Sequence, residues 1–201
     1  IHFPSGEEAL EKAKKRLIFE EFLAFTLGMS LVKGKNRTAD GNAFDNLSTD
    51  EFEKSLGFKL TGAQKRVITE CKKDMCSNVP MSRLIQGDIG SGKTAVAASC
   101  MYFAAKNGFQ SAMMAPTEVL AKQHYVSITE LFKEYQIPLK VELLTGSMTA
   151  KEKRTAYELI EEGKADIIIG THALIQEKVV YKKLALVITD EQHRFGVKQR
   201  E

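Results

Sequence analysis

The sequence has few of the features that mark secreted, metal-bound or membrane-spanning proteins. Its 201 residues contain three cysteines, Cys71, Cys76 and Cys100, with no Cys-x-x-Cys pair and no cluster of histidines. This pattern gives little support for a disulfide framework or a zinc site, and it favours reduced thiols in a cytoplasmic protein. No stretch approaches the roughly 20 apolar residues that a membrane-spanning helix needs. The start, Ile1-His2-Phe3-Pro4, resembles no signal peptide and lacks an initiator methionine, so we expect the chain to begin partway through a longer protein.

The composition is that of an ordinary globular protein. Hydrophobic residues make up 43% of the chain and charged residues 27%, which is enough apolar material for a core. The formal net charge of +3 is compatible with a nucleic-acid partner but is too small to establish one. The sequence contains no internal repeat and no low-complexity segment.

The N-terminal part predicts a helical extension followed by a connector. A long helix is expected up to about Leu31, with a charged first half and an apolar second half. Its basic residues, Lys12 to Arg16, either touch DNA phosphates or form a solvated helix face. Residues 33–47 are polar and contain glycine, which is typical of a linker. A short helix is expected from Thr49 to Leu56.

From Leu60 onward, short apolar runs alternate with longer helical stretches. Such alternation predicts an α/β fold, with a parallel β-sheet covered by helices on both faces. The expected strands are residues 83–86, 111–115, 140–144, 166–170 and 185–189. The expected helices between them are residues 93–106, 119–135 and 149–162.

The strongest motif is a phosphate-binding loop. The segment Gly87-Asp88-Ile89-Gly90-Ser91-Gly92-Lys93-Thr94 fits the pattern G-x-x-x-x-G-K-[ST] at every fixed position. Glycines let consecutive N–H groups point at phosphate oxygens, and the helix that follows directs its positive dipole end at the same anion. We therefore assign residues 87–94 to the phosphates of a nucleotide. Lys93 would contact the β- and γ-phosphates, and the Thr94 hydroxyl would bind Mg²⁺.

An acidic pair ends the last predicted strand. Asp190 and Glu191 follow the apolar run 184–189. In phosphate-loop enzymes an aspartate at this position helps to hold Mg²⁺. The adjacent Glu191 would face the attacking water as a general base. These two motifs are consistent with a kinase, a transporter or a helicase. The guanine-reading motif Asn-Lys-x-Asp of GTPases does not occur in the sequence.

The residues around the acidic pair carry a family resemblance. Residues 190–200 read Asp-Glu-Gln-His-Arg-Phe-Gly-Val-Lys-Gln-Arg. They resemble the acidic box and its tail in the RecG family of bacterial DNA helicases, which belongs to helicase superfamily 2. Four further blocks resemble family motifs in the same order: residues 58–64, 115–121, 143–147 and 170–174. Thr189 departs from the pattern, because the family usually has an aliphatic residue there.

The resemblance implies a fold and a set of nucleotide contacts. The fold would be a P-loop NTPase of RecA-like type, with residues 1–47 as a linker helix and polar connector from a wedge region. Residues 48–201 would be the first of two RecA-like motor domains. Phe58 and Gln64 would lie at the adenine, and the Gln64 amide offers both a donor and an acceptor. His193 would couple nucleotide state to DNA, as a fourth catalytic residue beside Lys93, Asp190 and Glu191.

The resemblance also implies DNA as a partner. Candidate contacts follow strand ends, where α/β sheets place their binding loops; they are Thr117, Thr145, Gly146, Thr171 and His172. Small hydroxyls and N–H groups there can hold a phosphate backbone without reading its sequence. Helix capping is an equally good explanation for Thr117 and Thr149. Family membership would further imply 3′→5′ action on branched DNA.

Three functions are consistent with the sequence. The favoured one is the ATP-binding motor domain of a RecG-like helicase, which uses ATP and Mg²⁺ and has no membrane partner. On its own it would hydrolyse ATP poorly, because the second motor domain supplies arginines worth roughly 10³–10⁵ in rate. The alternatives are the motor of a transcription–repair coupling type double-stranded DNA translocase, and a nucleotide-gated DNA-binding module without catalysis.

Overall fold

The N-terminal unit is a single long helix in its described part. The computed structural model of the chain describes residues 5–35, 44–88 and 90–191, and the chain divides into two compact units, Ile1–Gly41 and Asn42–Glu201. Helix α1 spans Glu7–Lys35. The predicted helix is therefore confirmed, and it takes in residues 33–35 of the predicted connector.

The surface of α1 combines ion pairs with unusual apolar exposure. Lys12 pairs with Glu8 at 2.8 Å and Arg16 pairs with Glu20 at 2.6 Å, so part of the basic cluster is neutralised within the helix. The second half of the helix exposes large apolar side chains: Leu17, Ile18, Phe19, Phe22, Leu23, Phe25 and Leu27.

No helix in the described ranges is long and apolar enough to cross a membrane.

The core of the second unit begins within the segment predicted as a connector. Phe44 is buried, and its ring stacks on Phe103 with a centroid distance of 5.8 Å. Leu47 packs against the same core. Two apolar side chains thus anchor the start of this unit, although the surrounding residues are polar enough to predict a linker.

A four-stranded parallel sheet forms the centre of the second unit. Its strands are β1 (Gln110–Met114), β2 (Val141–Leu144), β3 (Ile167–Gly170) and β4 (Leu184–Thr189). They lie in the order β2-β3-β1-β4, and every pairing is parallel. Four of the expected strands are therefore confirmed, each within a residue or so of its predicted bounds. All four carboxyl ends meet at one edge of the sheet, which is the edge that carries the candidate site.

Helices cover both faces of this sheet. They are α2 (Asp50–Ser55), α3 (Gly62–Met75), α4 (Lys93–Lys106), α5 (Glu118–Glu134) and α6 (Ala150–Glu161), with a 3-10 turn at His172–Ile175. Strand side chains alternate between two apolar clusters: Ile167 and Ile169 join the one that includes α3, α4 and α5. Ile168 joins the one that includes α6 and the 3-10 turn. This alternation is the period-two geometry of a strand buried on both faces.

The strand predicted for residues 83–86 is wrong. The residues before the phosphate loop form no regular element, and Leu84 is 77% exposed. Within the described chain, no backbone hydrogen bond links this segment to the sheet. Arg83 instead forms ion pairs with Glu70 at 2.5 Å and with Asp74 at 2.7 Å, both on α3. A short apolar run becomes a strand only where a neighbouring edge supplies hydrogen bonds, and here side chains on α3 hold the segment instead.

Candidate functional site

The phosphate loop has the backbone conformation that its glycines allow. Gly90 and Gly92 have φ angles of 80° and 77°, which is the left-handed region that favours glycine. Ser91 donates its backbone N–H to the Asp88 carbonyl at 3.1 Å and closes the turn. Helix α4 then begins at Lys93 with Gly92 as its N-cap, and no side chain of the described residues caps its first turn. The helix therefore starts with backbone donors and a positive dipole end that are available to an anion.

Lys93 folds back over the loop that precedes it. Its ammonium group donates to the carbonyl of Gly87 at 2.7 Å and to the carbonyl of Asp88 at 2.9 Å. The side chain is exposed, so it can exchange these carbonyls for phosphate oxygens without a change in the core. A phosphate group is the stronger acceptor because it is charged. The first turn of α4 and this lysine therefore fit the phosphates of a nucleotide.

Gln64 contacts the phosphate loop directly. It is the N3 residue of α3, and its Oε1 accepts the Thr61 N–H at 2.8 Å in a capping box. Its Nε2 donates to the Ser91 carbonyl at 2.9 Å. An amide has two N–H groups and two acceptor positions, so one of each remains for the edge of a base. The sequence predicted an adenine contact here, and the structure adds a direct link to the loop.

Phe58 stands at a separate groove. The residue is 45% exposed, and it lines a cavity of about 620 Å³ together with Lys59, Leu60 and Lys65. Neither Gln64 nor the described residues of the phosphate loop line this cavity. An exposed ring beside an open groove can stack on a planar base. The structure therefore places Phe58 and Gln64 on neighbouring segments without joining them in one pocket.

The acidic pair lies at the carboxyl end of β4. Asp190 donates its backbone N–H to the Met114 carbonyl of β1 at 2.9 Å. Its Oδ2 is 2.7 Å from Nε2 of His124 on α5. Glu191 follows with a φ of 53°, which lies in the left-handed region that few residues other than glycine adopt. Thr189, where the family usually has an aliphatic residue, is half-buried at the end of β4.

One predicted catalytic residue, His193, lies outside the described residues, as does Ile89 of the loop. Within the described ranges, no group of three or more His, Cys, Asp or Glu side chains could hold a metal ion. Such a cluster is not required for Mg²⁺, which proteins usually bind through one or two carboxylates together with substrate phosphates. Asp190 fits that role, because its Oδ1 has no hydrogen bond among the described residues.

The residues predicted to contact DNA differ in their solvent exposure. Thr117 caps α5 by accepting the Leu120 N–H at 3.3 Å and is itself exposed. Gly146 and His172 are exposed as well. Thr145 and Thr171 are buried, and neither hydroxyl has a hydrogen-bond partner among the described residues. The loops therefore meet at one edge of the sheet, but only Thr117, Gly146 and His172 are exposed enough to contact a ligand.

Two contacts of α5 were not predicted. Glu118 accepts a hydrogen bond from the Ser147 N–H at 2.9 Å and another from the Ser147 hydroxyl. The Ser147 hydroxyl holds the pKa of this carboxyl below its ordinary value, with help from the Ser147 N–H and the charge of Lys122. The second contact is the one between His124 and Asp190. Both join residues far apart in the sequence, so no local pattern could have indicated them.

Known proteins provide an independent comparison. The DEAD/DEAH box helicase family matches residues 61–201. The chain is similar to the ATP-dependent DNA helicase RecG of Bacillus subtilis, at 48% identity over 204 residues, covering 100% of this chain and 30% of that protein. It is similar to the helicase of the same name from Thermotoga maritima, at 47% identity over 203 residues, covering 100% of this chain and 26% of that protein.

A solved structure of RecG bound to a three-way DNA junction is also similar. It has 44% identity and a TM-score of 0.86, and the match covers 96% of this chain and 27% of that one. The resemblance to RecG and the RecA-like fold predicted from the sequence are thereby confirmed. The chain spans less than a third of the length of each of these relatives.

Proposed function

The chain belongs to the DEAD/DEAH box helicase family, and we propose that it is the ATP-binding motor domain of a RecG-type DNA helicase. Membership of this family implies nucleotide use. The proposed activity is ATP hydrolysis coupled to the remodelling of branched DNA, such as stalled forks and Holliday junctions, in repair and recombination. One observation carries the proposal: the helix that begins at the phosphate loop packs on the same sheet whose last strand ends at the Asp190–Glu191 pair.

The nucleotide would bind across residues 87–94. Lys93 would leave the carbonyls of Gly87 and Asp88 and neutralise the β- and γ-phosphates, while the first-turn amides of α4 hold their oxygens. Gln64 and Phe58 would recognise the adenine. Gln64 also donates to the Ser91 carbonyl. A contact between Gln64 and the adenine would therefore act directly on the phosphate loop.

Hydrolysis would depend on the two carboxylates. Thr94 and Asp190 would hold Mg²⁺, which when bound neutralises charge on the phosphate oxygens. Glu191 would orient the attacking water and take its proton as a general base. His193 is proposed to link this site to the DNA-binding surface. A second RecA-like domain and a wedge domain are proposed partners, because the relatives are more than three times as long as the matched region.

DNA would lie along the carboxyl edge of the sheet. Thr117, Gly146 and His172 expose their surfaces there, and contacts of this kind would hold the phosphate backbone without reading bases. The similar RecG structure is bound to a three-way DNA junction, which supports branched DNA as the preferred form. A cytoplasmic location is part of the proposal, since it suits the free thiols of Cys71, Cys76 and Cys100.

The test is nucleotide binding and hydrolysis by the chain beside a Lys93→Ala variant. Binding of Mg-ATP that Lys93→Ala abolishes, together with little turnover, is expected for one half of a two-domain motor. Adding forked DNA separates the other hypotheses. Fast turnover that ignores DNA would contradict the helicase proposal. DNA binding gated by nucleotide, with no turnover even in the full-length protein, would favour the binding module.

A further inference from the structure

Helix α5 reaches the acidic end of the sheet through one histidine. His124 Nε2 is 2.7 Å from Asp190 Oδ2, and the two side chains are 17% and 31% exposed. A carboxylate only accepts hydrogen bonds, so the ring donates through Nε2 in this contact. A half-buried, charge-assisted bond of this length is stronger than a neutral one and is little screened by solvent.

Asp190 is consequently fixed from two directions. Its backbone N–H is bound to the Met114 carbonyl of β1, and its Oδ2 is bound to α5. The backbone bond sets where the residue leaves the sheet, and the histidine sets the rotation of the carboxylate. With Oδ2 engaged, Oδ1 is the oxygen that remains for a cation. Hydrogen-bonding partners of this kind orient metal-binding carboxylates in many proteins.

We propose that His124 is a positioning residue that presents Asp190 to Mg²⁺. This inference rests on the proposed function, because it assumes that Asp190 holds the metal of a bound nucleotide. His124 touches neither nucleotide nor metal and acts only through the carboxylate. Loss of such a partner typically weakens metal affinity about 10- to 100-fold. Nucleotide affinity measured without Mg²⁺ should not change, because the phosphate loop is untouched.

The experiment titrates MgCl₂ against a fluorescent ATP analogue bound to the chain. His124→Leu keeps much of the side-chain volume but cannot donate, whereas His124→Gln keeps a donor of similar reach. The expected result is that His124→Leu needs about 10- to 100-fold more Mg²⁺ for half-maximal binding, and that His124→Gln recovers most of the loss. Gln123→Leu, an exposed neighbour on α5, is the matched control and should behave as wild type.

The ring itself gives a second measurement that needs no variant. Nitrogen chemical shifts of the His124 ring report which ring nitrogens carry a proton, and the contact requires a proton on Nε2. A ring protonated on Nδ1 alone would overturn the inference, as would wild-type Mg²⁺ dependence in a folded His124→Leu variant. Failure of the proposed function looks different: Lys93→Ala would then bind the nucleotide as tightly as wild type, with or without Mg²⁺.

Discussion

Replacing Gly92 with alanine should damage the nucleotide site through two separate effects. The residue has a φ of 77°, where an alanine costs about 1–2 kcal/mol. A Cβ at this position would also collide with Nε2 of Gln64. Gln64 must then move and give up its bond to the Ser91 carbonyl, which stabilises the loop by about 1 kcal/mol. The expected loss is therefore about 2–3 kcal/mol.

Gly108 is a control at the other end of the same helix. Its φ is 74°, but a Cβ there meets nothing within 4 Å. Gly108→Ala should therefore cost only the backbone term, about 1–2 kcal/mol. The difference between the two variants, about 1 kcal/mol, isolates the contact between Gln64 and the loop.

Two assays measure the expected losses of stability and nucleotide affinity. Urea denaturation of both variants measures the free energy of unfolding, and titration with an ATP analogue measures affinity. Gly92→Ala should lose both stability and affinity, whereas Gly108→Ala should lose stability alone. Equal losses of both quantities in the two variants would refute the idea that Gln64 packs against Gly92.

Three further predictions concern neighbouring parts of the sheet edge. In the full-length protein, Glu191→Gln should keep nucleotide binding but slow single-turnover hydrolysis by about 10²- to 10⁴-fold; an unchanged rate would exclude Glu191 as the general base. Gly170→Ala should destabilise the chain to urea by about 1–3 kcal/mol, because its Cβ would collide with the Leu144 carbonyl; wild-type stability would show that the strands can separate at no cost. The lowered pKa of Glu118 means that its contact with Ser147 stabilises the fold above the ordinary glutamate pKa and stops doing so as pH falls through the lowered one. Ser147→Ala should raise that pKa in an NMR titration, and an unmoved pKa would exclude the hydroxyl as its cause.

The sequence predicted the sheet well because its strands are short, apolar and bounded by turns. The run at Ile167 to Ile169 is β-branched and fully buried, so local preference and tertiary packing agree. The segment before the phosphate loop has a similar apolar pattern, yet Leu84 is exposed and Arg83 is held by α3. Strand formation needs a partner edge as well as a preference, and a local pattern cannot report whether that edge is used.

The candidate site was predictable in its chemistry and less so in its connections. The phosphate loop and acidic pair are contiguous motifs, so their residue types alone indicated phosphate and metal. His124 was not predicted, because nothing in a helical stretch indicates which histidine meets a carboxylate 66 residues away. The bond from Gln64 to Ser91 was not predicted either, since it also depends on a long-range approach.

The loop after β2 shows why a strand-end position does not by itself make a ligand contact. From the sequence, Thr145 is expected to offer a hydroxyl and Gly146 a free N–H group. The structure buries Thr145, while the Glu118 carboxylate accepts hydrogen bonds from both the backbone N–H and the hydroxyl of Ser147. A carboxylate thus takes the donors that a DNA phosphate would use, and it adds a negative charge where the phosphate would approach. If DNA binds at this edge, its contacts must come from exposed residues other than Ser147, such as Thr117, Gly146 and His172, or Glu118 must first release Ser147.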